Sequence, residues 1–378
     1  MSLCKDSLKI MKVLEKYDIH PKYFKMNHFI YTLYDKIMGL MDNNIDFKIK
    51  KIKESCDMHL KNSNFMSKSI KLYIKEHLKD CYELTYNNNT IIYFTKKNIN
   101  TKLVIHMFQI IQLIEKIFNH SEYHQKIIFF DTNKKKKFPS TNKVELGPNE
   151  VNTGVTFVND IDQHNKHGCK VILYRKEEVL KVLAHELVHA HLVDFDMIVW
   201  KDTVKFSKIF CTKYNVLLNE AYTEWYANIF NIVYTNIACG FGRNELMNMY
   251  FNEIKYSIYI SKKILNFYNI PSIKTIIKKD TKCKVLFPQQ TNIISYYILK
   301  NILLIKYDGM NRDINHIVKI LMKNMYILDG ISDNFRNDNE RNSDIENVKN
   351  INNRNKILNK YNYNDGNKSL RLCLYELM

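Results

Sequence analysis

The pentapeptide HELVH at residues 185–189 combines residue types that, at this spacing, can carry out metal-assisted hydrolysis. It lies in an apolar stretch with helical periodicity. On a helix, the side chains of His185 and His189 share one face about 5–6 Å apart, so both imidazoles can bind one metal ion. Glu186 lies beside them, where in H-E-x-x-H proteins it acts as general base towards a metal-activated water. The alternative is a structural histidine pair with polar partners in the core.

A second helix, predicted over residues 216–230, carries two acids at the same spacing, Glu220 and Glu224. Hydrolytic zinc sites usually hold three protein ligands and leave a fourth position for water. The metzincin pattern would supply a histidine six residues after His189, but Phe195 stands there. The two glutamates could instead form a solvated helix face, although their apolar neighbours favour a largely buried helix.

Three stretches carry a resemblance to a known family: VNTGVTFVND, VILYRKEEVLKVLAHELVHAH and LNEAYTEWYANIFN. They resemble zinc metallopeptidases of large nucleocytoplasmic DNA viruses, and the Asn-Glu start of the second helix resembles that of gluzincins. The resemblance implies one Zn²⁺ per chain, bound by His185, His189 and Glu220, with Glu224 orienting His185. It also implies a peptide or protein substrate. The motif alone supports only metal-assisted hydrolysis and does not indicate which bond is cleaved.

The order of the elements predicts an α+β fold, in which strands lead into the HELVH helix and the second acidic helix follows. This order resembles a zincin-like metallopeptidase core, a small mixed sheet with an active-site helix. In that fold an edge strand beside the metal pairs with an extended substrate backbone. The strand predicted over 151–158 is our candidate, which would place Asn152, Thr153 and Gly154 near the cleft. An ordinary sheet strand is the alternative.

We predict four regions along the chain. Residues 1–124 are mostly helical with a hairpin near 82–95, and residues 125–240 form the zincin-like core. Residues 241–330 form a helical C-terminal part, and residues 331–378 form a polar, asparagine-rich, flexible tail that ends in a short apolar segment. The basic run Lys134–Lys137 is predicted to be a solvated loop tip between strands.

A peptidase of this kind also needs a hydrogen-bond donor for the oxyanion that forms during hydrolysis. Tyr222, Tyr226, Arg175 and His164 are all candidates. The sequence does not choose among them.

The net charge of +18 over 378 residues permits a nucleic-acid partner, but no motif supports one. Lysine greatly outnumbers arginine, as A+T-rich codon usage would produce, whereas phosphate and base recognition favour arginine. A nucleic-acid-associated protein with a structural histidine pair, a DNA-tethered protease and a zinc-binding pseudoenzyme remain open as alternatives. The oligomeric state is not predicted.

Eight cysteines without any C-x-x-C spacing are typical of reduced thiols in an intracellular protein. The first residues lack the apolar region of a signal peptide, and no apolar run is long enough for a membrane span. The expectation is therefore a soluble intracellular protein, in the host-cell cytoplasm or virion if the chain is viral.

Overall fold

The computed structural model describes residues 3–15, 27–42, 44–60, 65–120, 124–158, 168–191, 206–278, 284–309, 313–332 and 368–377. Helices and one mixed sheet make up the described chain, so the predicted α+β class is confirmed. The sheet and the long helices share one large apolar core.

The sheet contains the following strands: β1 (Lys48–Ile52), β2 (Asp80–Tyr86), β3 (Asn89–Thr95), β4 (His124–Phe130), β5 (Gly154–Val158) and β6 (Gly168–Leu173). Their spatial order is β1-β2-β3-β4-β6-β5. Strands β3, β4 and β6 run parallel, whereas β5 runs antiparallel to β6 at one edge. The central strands β3 and β4 are covered on both faces, which explains their nearly continuous apolar sequences.

The N-terminal part of the chain contributes to this same sheet. Strands β2 and β3 form a hairpin at the place where one was expected, near 82–95. Strand β1 was not expected. Its sequence, KIKKI, exposes lysines, which are common on an edge strand. The boundary drawn at residue 124 therefore falls inside one sheet.

Helices surround the sheet, with the following bounds: α1 (Lys5–Leu14), α2 (His28–Leu40), α3 (Asp57–Leu60), α4 (Lys68–His77), α5 (Thr101–Phe118), α6 (Val179–Ala190), α7 (Leu218–Cys239), α8 (Arg243–Phe267), α9 (Lys300–Lys306), α10 (Ile314–Lys323) and α11 (Ile327–Ser332). A 3₁₀ turn spans Ile273–Ile276, and a π-helical turn, Ile294–Leu299, leads directly into α9. Helix α6, which carries the HELVH motif, packs against α5, α7, β5 and β6.

The two faces of the sheet bury different apolar clusters. One face packs against α5 and α6 within the large core. The other face is covered by a smaller cluster in which Ile70 and Ile74 of α4 meet Ile128, Phe130 and Ile172 of the sheet. Strand side chains alternate between faces, so each central strand contributes to both clusters. The packing on both faces holds the sheet in place, and its strands β5 and β6 contact α6.

The segment 368–377 is buried beside the start of α6. Its backbone is held from both directions, because Leu370 N donates to Lys136 O at 3.2 Å and Leu374 N donates to Glu253 Oε2 at 2.8 Å. Leu370, Leu372, Leu374 and Tyr375 belong to the large core. The prediction of a flexible tail over 331–378 is therefore wrong for 368–377, and residues 333–367 lie outside the described residues.

In the basic run at 134–137, Lys134, Lys135 and Lys137 are exposed, as predicted for a solvated loop, but Lys136 differs from the prediction. Lys136 is only 1% exposed, and its Nζ lies 2.7 Å from Glu178 Oε2. The neighbouring residues pair with the segment 368–377, which covers this stretch. A buried lysine needs such a partner, and the sequence alone did not reveal that one residue of a lysine run would be covered by a distant segment.

Candidate metal centre

Three side chains from α6 and α7 converge at the bottom of a cleft beside β5. His185 and His189 lie one turn apart on α6, with 3.1 Å between their Nε2 atoms. Glu220, in the first turn of α7, places Oε2 at 3.5 Å from each of these nitrogens. Among the described residues, this is the one group of histidine, cysteine or acidic side chains whose arrangement could hold a metal ion. The predicted triad is thus brought together by the fold.

The spacing of the triad fits a tetrahedral ion. A zinc ion with bonds of about 2.0–2.1 Å and tetrahedral angles separates neighbouring ligand atoms by about 3.3–3.4 Å. The three observed separations are 3.1, 3.5 and 3.5 Å. Glu220 Oε2 is buried, and no donor within the described part of the chain hydrogen-bonds to it. A buried carboxylate oxygen needs a positive partner, so the donor set and its geometry both suit a divalent cation.

Glu224 occupies the far side of His185. Its Oε2 lies 3.0 Å from His185 Nδ1, and its side chain is 1% exposed. The adjacent carboxylate favours the tautomer that carries the proton on Nδ1, which leaves the Nε2 lone pair of His185 directed towards the triad. The structure therefore places Glu224 where the sequence predicted an orienting acid.

The charges of the site shift its pKa values in opposite directions. Burial alone would raise the pKa of Glu220, but the adjacent His189 and His185 outweigh it and hold that pKa well below its ordinary value. Burial likewise opposes the lowering of the pKa of Glu224, which Lys181 and His185 bring about. For His185, burial lowers the pKa, yet the two carboxylates raise it above the usual range. The negative charges of Glu220 and Glu224 thus favour a cation at the site, and metal binding would compete with protonation of His185.

Glu186 faces the cleft between the triad and β5. Thr156 Oγ1 lies 2.7 Å from Glu186 Oε2 and 2.9 Å from its backbone oxygen, so the hydroxyl can donate to either acceptor. Burial raises the pKa of Glu186, and the two nearby imidazoles oppose this only in part. The carboxylate is therefore a stronger base than an exposed glutamate, and its orientation is fixed.

Strand β5 approaches Glu186 closely, and Gly154 makes this approach possible. A Cβ atom at residue 154 would lie 2.8 Å from Glu186 Oε1 and 2.9 Å from Leu173 Cδ2. Both separations are shorter than side chains tolerate. Any larger residue at this position would therefore push against the Glu186 carboxylate.

The cleft has a volume of about 310 Å³ and contains all three residues expected on the edge strand, Asn152, Thr153 and Gly154. Asn152 Oδ1 accepts a hydrogen bond from Thr291 Oγ1 at 3.1 Å, which joins the start of β5 to the opposite wall. Because β5 is the last strand on this side of the described sheet, its outer edge borders the cleft. The position agrees with the predicted edge beside the triad.

His191 and the candidate oxyanion donors Tyr222 and Tyr226 do not line the cleft. His191 is buried at the end of α6, 2.9 Å from His120 through their Nδ1 atoms, and burial lowers its pKa to about 3. Tyr222 and Tyr226 are buried in an aromatic cluster around Trp225.

Arg175 donates to the backbone oxygens of Asn152 and Lys135 at 2.9 and 3.0 Å and also to that of Asn149. It therefore supports the loop before β5 from beneath and does not line the cleft. His164 lies outside the described residues.

The sequence did not reveal three cleft residues, Thr156, Tyr296 and Lys181. Thr156 had an available signal, because a strand places residues 154 and 156 on the same face. Tyr296 comes from the π-helical turn, and its ring centroid lies 6.0 Å from that of His185. Turns of this kind often occur at functional sites, but no local sequence pattern predicts them.

Comparison of the chain with protein-family models, curated proteins and solved structures finds no match. The fold and the site therefore define the protein at the level of class, as an α+β protein with a His-His-Glu group that could hold a metal ion. No helix within the described ranges combines the length and apolarity needed to cross a membrane.

Proposed function

We propose that this protein is a zinc-dependent peptidase with a zincin-like core. The observation that carries the proposal is the His-His-Glu triad at tetrahedral spacing, with the Glu186 carboxylate beside it and the edge strand of the described sheet alongside. His185, His189 and Glu220 would hold the ion. When bound, a zinc ion supplies Lewis acidity and lowers the pKa of a coordinated water to about 7.

Glu186 is the residue that would move the proton. Thr156 engages Oε2, so we assign Oε1, which faces Gly154, to accept the proton from the attacking water. The raised pKa of Glu186 suits it both to take this proton and to pass it to the departing amine of the cleaved peptide bond. Both transfers use one carboxylate, which remains fixed by Thr156.

The outer edge of β5 would bind the substrate. An extended peptide can add to an open strand edge through backbone hydrogen bonds, which secures it largely irrespective of its sequence. Asn152 and Thr153 line the same cleft and would lie beside the bound peptide. Because β5 has no further partner strand among the described residues, we favour peptides and protein segments as substrates over compact small molecules.

Tyr296 is our candidate for the oxyanion donor. Its ring lies in the cavity wall, and its hydroxyl is kept protonated because burial, followed by the charge of Glu220, raises its pKa well above the usual value. A protonated phenol at the edge of the site can donate to the oxygen on which charge develops. The tyrosines of α7, which were closer in sequence to the acidic motif, are packed away from the cleft.

Replacing Gly154 by alanine is expected to reduce peptide hydrolysis by up to about 10²-fold, the loss that a misplacement of about 1 Å can cause. The new methyl group would displace Glu186 without touching the triad, so zinc content should stay unchanged. Hydrolysis and zinc content of the purified variant check this. Gly39→Ala is the matched control, because a Cβ there meets nothing within 4 Å. Equal activities of the two variants would contradict the proposed role of Gly154.

The test of the proposed function is the zinc content of the purified full chain, followed by a peptide-cleavage screen. We expect about one zinc ion per chain in the wild type and background levels in folded His189→Ala and Glu220→Ala proteins. His28→Ala and Glu245→Ala replace an exposed histidine and an exposed glutamate outside the cleft and should keep the metal. Cleavage products are then identified by mass spectrometry.

A folded wild-type protein that stays empty when zinc is supplied would overturn the proposal. Nucleic-acid binding would then be the leading alternative, and it would weaken steeply with added salt. A protein that binds zinc through the triad but cleaves no member of a broad peptide library would instead be a zinc-binding pseudoenzyme.

A further inference from the structure

Behind the triad, α6 carries a buried lysine that the proposed reaction does not use. Lys181 lies one turn before His185 and is 2% exposed. Its Nζ contacts Glu224 Oε1 in an ion pair whose side chains are each 1% exposed. A fully buried charge is costly unless it is paired, so the position of this lysine requires an explanation.

The two oxygens of Glu224 have separate partners. Oε1 accepts from Lys181 and from Asn228 Nδ2 at 3.1 Å, whereas Oε2 lies 3.0 Å from His185 Nδ1. Because each oxygen is engaged on its own side, the carboxylate cannot rotate without losing a contact. Lys181 therefore fixes both the charge and the orientation of the acid that holds His185.

We propose that Lys181 is a positioning residue of the metal site, acting through Glu224 on His185. The inference rests on the proposed metal site. Lys181 keeps Glu224 as an oriented anion in a buried environment. Glu224 in turn keeps the proton of His185 on Nδ1 and directs Nε2 towards the triad. Without the lysine, the Glu224 carboxylate would lose the contact that holds Oε1 in place and could turn away from His185.

A nearby cation does not take over this role. Lys300 is also buried, but its Nζ donates to Leu372 O at 3.2 Å. Its charge also acts on Glu224, but the lysine nitrogen that contacts Oε1 of this acid is that of Lys181. Lys136, the other buried lysine at the cleft, pairs with Glu178 and has its Nζ 2.7 Å from Oε2 of that residue.

The test is zinc affinity of the full chain, measured by competition with a chromophoric chelator. Lys181→Met removes the charge and keeps the length of the side chain. We expect it to bind zinc about 10–100-fold more weakly, as is typical when a group that orients a metal ligand is lost. Glu224→Gln should have a similar effect. Lys181→Arg, which retains the charge, should recover most of the affinity.

Two comparisons separate positioning from a general loss of stability. Lys136→Met breaks an equally buried lysine–glutamate pair near the same helix, yet it should leave zinc affinity within about twofold of wild type. In the double variant Lys181→Met, Glu224→Gln, the two losses should not multiply, because both act through one contact. If Lys181→Met does not fold, Lys181→Gln takes its place with the same expected loss.

Wild-type zinc affinity in a folded Lys181→Met or Lys181→Gln protein would overturn the inference, and so would fully multiplicative losses in the double variant. These failures differ from failure of the proposed function, in which the wild-type chain itself binds no zinc. Unchanged affinity in a lysine variant of a zinc-binding wild type removes the role of Lys181 alone.

Discussion

Replacing Glu186 by glutamine is expected to abolish peptide hydrolysis while the protein retains its fold and about one zinc ion per chain. The amide has nearly the shape of the carboxylate and can still accept from Thr156 through its oxygen. It cannot take a proton from water at neutral pH. Loss of general-base catalysis of this kind typically costs about 10²–10⁴-fold in rate.

The comparison should be made on full-length proteins with equal zinc content. Glu115→Gln is a matched control, because Glu115 is a buried glutamate of α5 that bonds to Asn89 at 3.0 Å and lies outside the cleft. We expect this control to hydrolyse peptides at the wild-type rate. A Glu186→Gln protein that retains activity within tenfold of wild type would show that another group acts as the base.

The two histidines of the possible metal-binding triad could be predicted from the sequence because their arrangement is local, whereas Glu220 was expected from the resemblance to gluzincins. His185 and His189 are one helical turn apart, and Glu220 and Glu224 repeat that spacing on a second helix. When both helices are largely buried, their polar side chains need polar partners, and they can supply these to each other. The assignment of these acids therefore depended on one tertiary contact, the packing of α6 against α7.

The rest of the site depends on contacts between residues far apart in the chain. Tyr296 reaches His185 from a turn more than a hundred residues later. Lys181 looked like an ordinary polar position on an amphipathic helix until α7 placed Glu224 against it. Periodicity reports which face of a helix is apolar, but it does not report which buried charge finds which partner.

The segment 368–377 is the clearest case of such long-range dependence. Its sequence, KSLRLCLYEL, follows a polar stretch, and its alternating leucines do not indicate which element it packs against. In the structure it packs next to the start of α6, and Leu372 lines the cleft. Its apolar side chains lie in the core, and several hydrogen bonds also hold it, three of which involve Glu178.

Glu178 lies at the residue before α6, with a left-handed backbone φ of 59°. Its Oε1 accepts from the backbone nitrogens of Leu372 and Cys373 at 2.7 and 2.6 Å, and its Oε2 pairs with Lys136. Its own backbone N–H donates to Glu376 Oε1 at 2.9 Å. One carboxylate therefore joins helix α6, the segment 368–377 and the basic run.

Glu178→Ala should destabilise the protein by about 3–5 kcal/mol, the usual cost of leaving a buried ion-pair partner alone. Lys136 would lose its counterion, and two buried amides would lose their acceptor. Urea unfolding of the full chain measures the loss. Hydrogen exchange should show faster exchange at Leu372 and Cys373 under conditions in which the sheet remains protected.

Lys136→Met is the companion variant, and we expect it to lower the free energy of unfolding less than Glu178→Ala does. There Glu178 keeps both amide donors, and the neighbouring Lys181 and Arg371 still lower the pKa of its carboxyl against the opposing effect of burial. Methionine fills the space of the lysine stem, so packing is largely preserved.

A loss below about 1 kcal/mol for Glu178→Ala, the contribution of a single ordinary hydrogen bond, would mean that apolar packing alone holds the segment against α6.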